Sequence, residues 1–255
     1  MKKNYFRPVL LLVFLWHTIT VSGQVSVRDS SITTPVFYGT YGFFMLGGDI
    51  ASKYGPSSNI GSGLGIKTKQ NLYFGIEYNY LFGGKVKNGD EIFKNILTHD
   101  GQLIGQNGEY AVFQYFERGH MLWAHAGKLF PLLGPNPNSG IMFRLGAGYI
   151  QHRLVVNVLD NTAMQLQGDY KKGYDRLTSG FGLNQFIGYM YMGDTRVWNF
   201  FGGIEVSQAW TENRRDVNFD TGLKDDTKYF DLFFGIRIGW VIPLYRRAPS
   251  AYYIN

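Results

Sequence analysis

The segment from residue 230 to residue 242 alternates between two kinds of side chain. Every even position holds a large apolar residue, whereas the odd positions include Asp231, Gly235, Arg237 and Gly239. A β-strand points successive side chains to opposite faces, so the segment predicts a strand with one oily face and one polar, glycine-rich face. An oily face suits lipid, and charges opposite it need a wet or ion-paired interior. The segment is therefore typical of a transmembrane β-strand.

The first residues of the chain predict export. Lys2, Lys3 and Arg7 precede an apolar core from Val9 to Trp16, and small residues at 21–23 provide a cleavage site. This pattern predicts a secretory signal peptide over residues 1–23, because the core is too short to span a bilayer as a helix; a membrane anchor is the alternative. Removal of three basic residues and no acid lowers the formal net charge from +6 to +3, which weakens the case for polyanion binding.

The composition narrows the fold class further. No later segment approaches ~18 consecutive apolar residues, so insertion into a membrane requires a closed barrel. The chain has no cysteine, which excludes a disulfide scaffold, thiol catalysis and a lipidated N-terminal cysteine. High glycine and aromatic contents with a slightly negative mean hydropathy fit alternating oily and polar strands. A soluble all-β sandwich is the alternative.

Eight segments with this alternation can be counted along the chain. The segment that starts at Asn71, for example, places Phe74, Ile76 and Tyr78 on one face and Glu77 on the other. The repeat predicts an all-β fold, an eight-stranded antiparallel up-and-down transmembrane β-barrel with long extracellular loops. The predicted strands are Val36–Gly47, Ile60–Thr68, Asn71–Phe82, Ala111–Phe130, Ile141–Val158, Gly182–Met192, Arg196–Thr211 and Lys228–Tyr245.

The spacers between the predicted strands alternate in length. Short turns at one rim and long loops at the other are typical of outer-membrane barrels, whose long loops face outward. An even number of strands then leaves both termini in the periplasm. The short spacers are residues 68–70, 131–140 and 193–195, and the long ones are residues 48–59, 83–110, 159–181 and 212–227.

These features define four predicted regions of the chain. The signal peptide at 1–23 is followed by a periplasmic N-terminal segment at 24–35 and by the transmembrane barrel at 36–245. A periplasmic tail at 246–255 ends the chain, and its Arg246-Arg247 pair and aromatic Tyr252-Tyr253 pair make it either a binding segment or a disordered end.

The chain resembles the small outer-membrane β-barrels of the OmpA/OmpX-like class, which includes the PorT-like barrels. The resemblance is architectural and covers nearly all of the chain after the signal peptide. One local match is the carboxy-terminal assembly signal read by barrel-inserting machinery, to which Arg237, Gly239, Ile242 and Leu244 correspond. Members of the class usually end in an aromatic residue, whereas this chain continues through residues 246–255.

Five charged residues fall on the inward faces of the predicted strands. An eight-stranded barrel has an interior that side chains just fill, so inward charges have to pair. We expect one ionic cluster that acts as a structural plug, as is common in barrels that this chain resembles; a gated ion or proton path is the alternative. The predicted cluster consists of Glu77, Arg144, Glu205, Asp231 and Arg237.

Three tryptophans are predicted to lie at the membrane interfaces. Trp198 and Trp210 are twelve residues apart on one predicted strand. At ~3.3 Å per residue and a tilt near ~40°, they are separated by roughly 30 Å along the membrane normal. This separation places one ring at each interface, and Trp240 is expected to join them.

Catalytic signals in the sequence are weak. His120, His125 and His152 lie in predicted strands, but none has a serine two residues away, and a nucleophile has to lie beside its base. We therefore expect polar lumen or rim residues, no catalytic or metal site and no cofactor. No nucleotide or nucleic-acid motif is present, so we expect no nucleic-acid partner.

The sequence thus favours a non-enzymatic outer-membrane barrel. It is expected to act through its loops and periplasmic ends as a structural or accessory subunit of a secretion or assembly complex in the cell envelope. The alternatives are a lipid A-modifying barrel enzyme and a narrow solute or ion channel. Expected partners are outer-membrane lipid, lipopolysaccharide and proteins of the complex. The charged loops are expected to be solvated or to bridge lipid phosphates; a docking surface is the alternative, since the loop at 83–110 is longer than a connection requires.

Overall fold

A computed structural model describes residues 30–193 and 197–244. The predicted signal peptide, the tail at 246–255 and residues 24–29 of the N-terminal segment lie outside the described residues. The strands are β1 (Thr34–Gly48), β2 (Ser57–Lys67), β3 (Leu72–Gly83), β4 (Leu103–Ile104), β5 (Tyr110–Ala111), β6 (Phe113–Phe130), β7 (Gly140–Val158), β8 (Thr178–Met192), β9 (Asn199–Asn213) and β10 (Lys228–Pro243).

Eight of these strands form one closed antiparallel barrel in the order β1-β10-β9-β8-β7-β6-β3-β2. The ring closes between the first and last strands, where Val36 pairs with Pro243 and Gly48 pairs with Asp231. Strands β4 and β5 form a separate small hairpin inside the loop between β3 and β6. The predicted eight-stranded up-and-down barrel is confirmed.

The predicted strand boundaries differ from the observed ones by a few residues. Strand β1 begins at Thr34, two residues inside the predicted N-terminal segment. Strand β6 begins at Phe113, because Ala111 pairs instead with Leu103 in the small hairpin. Strand β8 begins four residues before its predicted start, since Thr178 pairs with both neighbouring strands.

The outer surface of the barrel is an apolar band. Large apolar side chains on every strand of the ring are exposed, and Ile76 and Ile236 are exposed to 58% and 60%. A closed barrel with such a band requires lipid around it, so the barrel spans a membrane. One representative per strand is Phe43, Ile60, Ile76, Leu122, Leu145, Ile187, Ile204 and Ile236.

Aromatic side chains border this band at both ends. At the rim that carries the long loops, Tyr149, Phe181, Trp210 and Phe230 are in register across β7, β8, β9 and β10. Trp198 precedes β9 at the opposite rim, where Trp240 also lies on the outward face.

Within the described residues, every helix is too short or too polar to cross a bilayer. The described α-helices are the single turns α1 (Ile50–Lys53) and α2 (Gly89–Phe93), and short 3-10 helices span Leu159–Asn161, Met164–Leu166 and Tyr170–Gly173.

Candidate functional site

An ionic cluster occupies the centre of the barrel lumen. The strand alternation turns Glu77 of β3, Glu205 of β9 and Arg237 of β10 inward, and all three are buried. The guanidinium of Arg237 donates from Nη2 to Glu205 Oε1 at 2.7 Å, and its Nε also contacts Glu205. Its Nη1 donates to Glu77 Oε1 at 2.8 Å, to Asn79 at 2.9 Å and to Thr40 at 3.1 Å. Arg237 therefore joins the two carboxylates into one network.

Arg144 of β7 belongs to the same cluster but is held differently. Its Nη1 lies 3.5 Å from Glu77 Oε2, and its guanidinium carbon lies 4.6 Å and 4.8 Å from the ring centroids of Phe186 and Phe201. The Nε and Nη2 atoms of Arg144 have no hydrogen bond within the described residues. His125 stands 3.7 Å from Glu77. Arg144 is thus held largely by cation–π contacts, whereas Arg237 is held by hydrogen bonds.

The prediction of a single five-residue cluster is wrong for Asp231. Its Oδ2 accepts from Thr211 at 2.6 Å and lies 3.1 Å from His152 Nε2. Asp231 precedes Arg237 by six residues on β10, which is roughly 20 Å along a strand, so the two side chains belong to different levels of the lumen. Four of the five predicted residues meet, and the fifth forms a second polar cluster nearer the long loops.

The second cluster includes two residues that the sequence analysis did not assign to the ionic cluster, although it expected His152 to be a polar lumen or rim residue. Glu117 is buried on β6 and its carboxylate contacts Ser57, while His152 of β7 holds Asp231. Both residues lie on the inward faces of their strands. Glu117 is on the same face of β6 as Met121 and Trp123, and His152 is on the buried face of β7. The signal was present in the sequence but was obscured by the adjacent Arg118 on the outward face.

Two apolar layers fill the lumen around the ionic cluster. The layer toward the short turns and the layer toward the long loops consist of fully or nearly fully buried side chains. A filled interior is the expected state of an eight-stranded barrel. The first layer contains Val36, Tyr38, Tyr73, Leu129, Met142, Phe186, Met190, Met192, Phe201 and Val241, and the second contains Phe44, Ile50, Tyr54, Leu81, Met121, Trp123, Ile150, Ala209 and Phe233.

The short-turn mouth is closed by the chain before β1. Ile32 is buried there, and its backbone N–H donates to Asn138 Oδ1 at 3.0 Å. The ammonium of Lys67 donates to the same amide oxygen at 2.8 Å and to Ser31 Oγ at 3.0 Å. This buried lysine thus ties the segment before β1 to the turn between β6 and β7.

The four long loops form a single cap over the other mouth; the cap comprises residues 49–56, 84–112, 159–177 and 214–227. The first and second loops are joined by an antiparallel bridge between Tyr54 and Val86. Asn95 Nδ2 donates to Phe219 O at 2.9 Å and links the second loop to the fourth. Arg215 Nε donates to Asp175 at 2.8 Å and links the fourth loop to the third.

The cap has its own apolar core. Phe93 is fully buried and lies 5.6 Å from Tyr174 between ring centroids. Leu154, at the top of β7, extends this core to the barrel wall. The long loops are therefore folded together by ordinary hydrophobic burial. The buried members are Phe93, Leu103, Ala111, Leu154, Ala163, Leu166 and Tyr174.

A cavity of about 170 Å³ lies between the cap and the barrel mouth. Its wall carries both signs of charge, with Lys53 and Arg176 facing Asp220 and Asp225. Burial lowers the pKa of Lys53, whose ammonium stands 3.3 Å from the centroid of the Tyr229 ring. Burial alone would raise the pKa of Asp225, but hydrogen bonds, including one from Tyr229 at 2.6 Å, leave it below its usual range.

The three histidines considered as catalytic candidates lie in different environments. His125 and His152 are buried in the lumen, whereas His120 faces outward and its Nδ1 lies 2.6 Å from the hydroxyl of Tyr78. Throughout residues 30–193 and 197–244, no group of three or more histidine, aspartate or glutamate side chains has the geometry to hold a metal ion.

The predicted assembly-signal residues occupy the end of β10. Arg237 and Gly239 face the lumen, while Leu244 is exposed just beyond the strand and donates its backbone N–H to Pro35 O at 2.9 Å. Ile242 is half-buried. The motif thus lies at the seam where β10 meets β1, and its role in assembly stays a prediction.

No protein-family model and no curated protein sequence matches the chain. Among solved structures, it is similar to the N-terminal β-barrel domain of Pseudomonas aeruginosa OprF, with 11% identity, a TM-score of 0.35 and coverage of 82% of this chain and 98% of that one. It is also similar to Ail, the attachment invasion locus protein of Yersinia pestis, with 11% identity, a TM-score of 0.36 and coverage of 83% and 99%. A third is the outer membrane protein OprG from Pseudomonas aeruginosa, with 10% identity, a TM-score of 0.35 and coverage of 85% and 99%.

Strand pairing itself defines the class of this protein. The closed ring of eight antiparallel strands, with apolar side chains outside and paired charges inside, is a small membrane-spanning β-barrel.

Proposed function

We propose that this chain is a non-enzymatic outer-membrane β-barrel that serves as a structural or accessory subunit of a cell-envelope complex. The observation that carries the proposal is the cap, which has its own core and exposes apolar side chains well above the membrane band. Such a preformed surface suits a protein partner, because exposed apolar patches on ordered surfaces mark interaction sites. The exposed side chains are Ile104, Tyr110, Val112, Leu159 and Met164.

The loop segments that carry these exposed side chains are linked by hydrogen bonds between the second and third loops. Gln165 Nε2 donates to Ile104 O at 2.9 Å, and the backbone N–H of Leu159 donates to Val112 O at 2.9 Å. Tyr110 pairs with Ile104 in the small hairpin. A partner would therefore bind a surface that is already ordered, and complex formation would cost little conformational entropy of the loops.

The orientation of the barrel follows from its rims. We place the cap outside the cell and the short turns in the periplasm, because long loops of outer-membrane barrels face outward and the chain begins with a predicted signal peptide. Both termini are then periplasmic, and the surrounding solvent is phospholipid and lipopolysaccharide.

The two alternatives have less support. A channel requires an open path, whereas apolar side chains such as Phe44, Trp123 and Phe233 fill the lumen above the ionic cluster. A lipid A-modifying enzyme requires a nucleophile beside its base at the outer interface. The outward-facing His120 contacts the hydroxyl of Tyr78 there and not a serine.

Site-specific photo-crosslinking in the producing cells tests the proposal. A photoreactive residue at Tyr110, which is 68% exposed, should capture one envelope protein, whereas the same residue at the equally exposed Leu223 of the fourth loop should not. The double variant Tyr110→Asp and Met164→Asp should lose the captured protein on copurification while its barrel still folds. Equal capture at both positions, or unchanged copurification of the double variant, would refute the role of the cap.

A further inference from the structure

Two arginines stand directly opposite each other on the outside of the barrel near the cap. Arg118 of β6 pairs with Arg153 of β7 in the antiparallel ladder, and both belong to the outward faces of their strands. Opposite residues of such a pair have Cβ atoms about 4.5–5.5 Å apart, and like charges there destabilise the sheet. An anion between or beside the two guanidinium groups would offset this repulsion.

The hydrogen bonds within the protein leave most of these donors free. Arg118 donates only from Nη1, to Glu117 O at 2.6 Å and to Gly83 O at 3.3 Å. Arg153 is exposed and makes no hydrogen bond or ion pair with any other residue in the described parts of the chain. Guanidinium groups with unused, parallel N–H donors match the oxygens of a phosphate.

The neighbouring outward positions extend this basic face. His120, two residues below Arg118, uses Nδ1 for the Tyr78 hydroxyl, so its Nε2 points to no protein partner in the described chain. Arg214, at the start of the fourth loop just after β9, donates from Nε to Ser179 Oγ of β8 at 2.9 Å. The basic face is defined as Arg118, His120, Arg153 and Arg214.

Acidic residues are nearly absent from this side of the wall. The outward positions of β3, β6, β7 and β8 carry no aspartate or glutamate, and Glu117 on β6 is turned into the lumen. On the next strand, β9, the outward Glu212 forms an ion pair with Arg214. The charge of Arg118 therefore acts on the buried carboxylate of Glu117, whereas Arg153 makes no ion pair within the described residues.

The height of the basic face is set by the aromatic girdle. Tyr149, a member of the girdle, precedes Arg153 by four residues on β7, so Arg153 lies about 10 Å further from the membrane centre. Arginine side chains can bend toward the interface and cover part of this distance. The guanidinium groups are thus at the level of lipid headgroups.

We propose that the basic face binds the phosphate group of an anionic glycolipid of the outer leaflet, with Arg118 and Arg153 as the principal ligands and His120 Nε2 as an additional donor. The tyrosines beneath it, Tyr78 and Tyr149, contact the glycolipid where its sugars meet the acyl chains, as amphipathic rings do at interfaces. The assignment of the outer leaflet rests on the orientation proposed above, whereas the phosphate chemistry does not.

Titration of the detergent-solubilised full chain with bisphosphorylated lipid A tests this inference. The double variant Arg118→Gln and Arg153→Gln should weaken binding by about tenfold or more, since each basic residue near an anionic surface contributes measurably. Arg153→Gln alone should weaken binding severalfold without loss of a hydrogen bond or ion pair that stabilises the fold, because Arg153 makes neither within the described residues. Lys128→Gln is the matched control, because Lys128 faces outward on the same strand at the opposite rim, and its affinity should equal that of the wild type.

Three results would overturn the inference. The first is equal affinity of wild type and the double variant, and the second is equal loss in Lys128→Gln, which would indicate diffuse charge attraction. The third is full affinity for dephosphorylated lipid A. Competition by millimolar inorganic phosphate would assign the basic face to a free anion instead of a glycolipid. None of these results bears on Tyr110 and Met164, so the cap proposal stands or falls separately.

Discussion

The membrane wall and the cap of this protein bury different sets of side chains, since the lumen of the wall encloses an ionic cluster between two apolar layers and the cap encloses an apolar core. In the wall, apolar side chains such as Leu122 and Leu145 face outward and the carboxylates and guanidiniums are enclosed. In the cap, Phe93 and Leu166 are enclosed and most charges face solvent. The two long strands β6 and β7 extend from the wall to the cap, where Leu154 of β7 joins the cap core. The change of solvent from lipid to water along these strands reverses which side chains have to be buried.

The two regions are therefore stabilised by different forces. The wall depends on a closed hydrogen-bonded ladder and on the pairing of charges that cannot reach water. The cap depends on apolar packing between loops, together with short-range backbone hydrogen bonds within and between the loops and ion pairs such as Arg215–Asp175. Substitutions in one region should leave the other intact, and the following predictions test this separation.

The largest effect is expected from Arg237→Met. Loss of this guanidinium leaves Glu77 and Glu205 buried without their principal partner, and removal of one member of a buried pair costs about 3–5 kcal/mol. The temperature at which the folded band is lost on a detergent gel should fall strongly. Arg144→Met is the matched control and should cost less, since Arg144 makes one ion pair at 3.5 Å and packs on aromatic rings that methionine can also contact. Equal effects would show that Arg144 and Arg237 contribute equally to the stability of the barrel.

An intermediate and local effect is expected from Phe93→Ala. The substitution removes a fully buried ring from the cap core, at a cost of about 3 kcal/mol or more, and the ring contacts of Phe93 with the barrel are with Phe113 and Tyr115 at the start of β6. Limited proteolysis should cleave the second loop faster while the heat-dependent band shift of the barrel stays unchanged. Phe219→Ala, a half-exposed ring of the fourth loop, should change cleavage much less. A lowered unfolding temperature in Phe93→Ala would show that wall and cap unfold together.

The smallest effect on stability is expected from deletion of Ser250–Asn255. If Arg237, Gly239, Ile242 and Leu244 form the assembly signal, membrane insertion and the heat-dependent band shift should match those of the full chain. Loss of a copurifying protein with insertion intact would assign the tail a docking role. Failure of insertion would place the assembly signal at the chain terminus instead.

The strands of the wall could be predicted from the sequence because their environment is uniform. Every strand meets lipid on one side and a packed lumen on the other, so the alternation in the segment that ends β10 repeats around the ring. The same alternation placed Glu77, Arg144, Glu205 and Arg237 inside. These properties depend on the parity of each residue, which the sequence contains.

The parity of a residue in its strand does not determine its level along the barrel axis or the residues that it contacts. Asp231 was grouped with Arg237 because both face inward, and only the shared register of β9, β10 and β7 brought it to Thr211 and His152 instead. The pairing of Arg118 with Arg153 likewise depends on the register of two strands whose individual patterns say nothing of each other. The cap lies furthest from the sequence, since its core joins loops about 70 residues apart through non-periodic positions such as Phe93 and Leu166. Local alternation fixes the face of a side chain, whereas its neighbours follow from how the strands align and how the loops fold back, which are long-range properties of the folded chain.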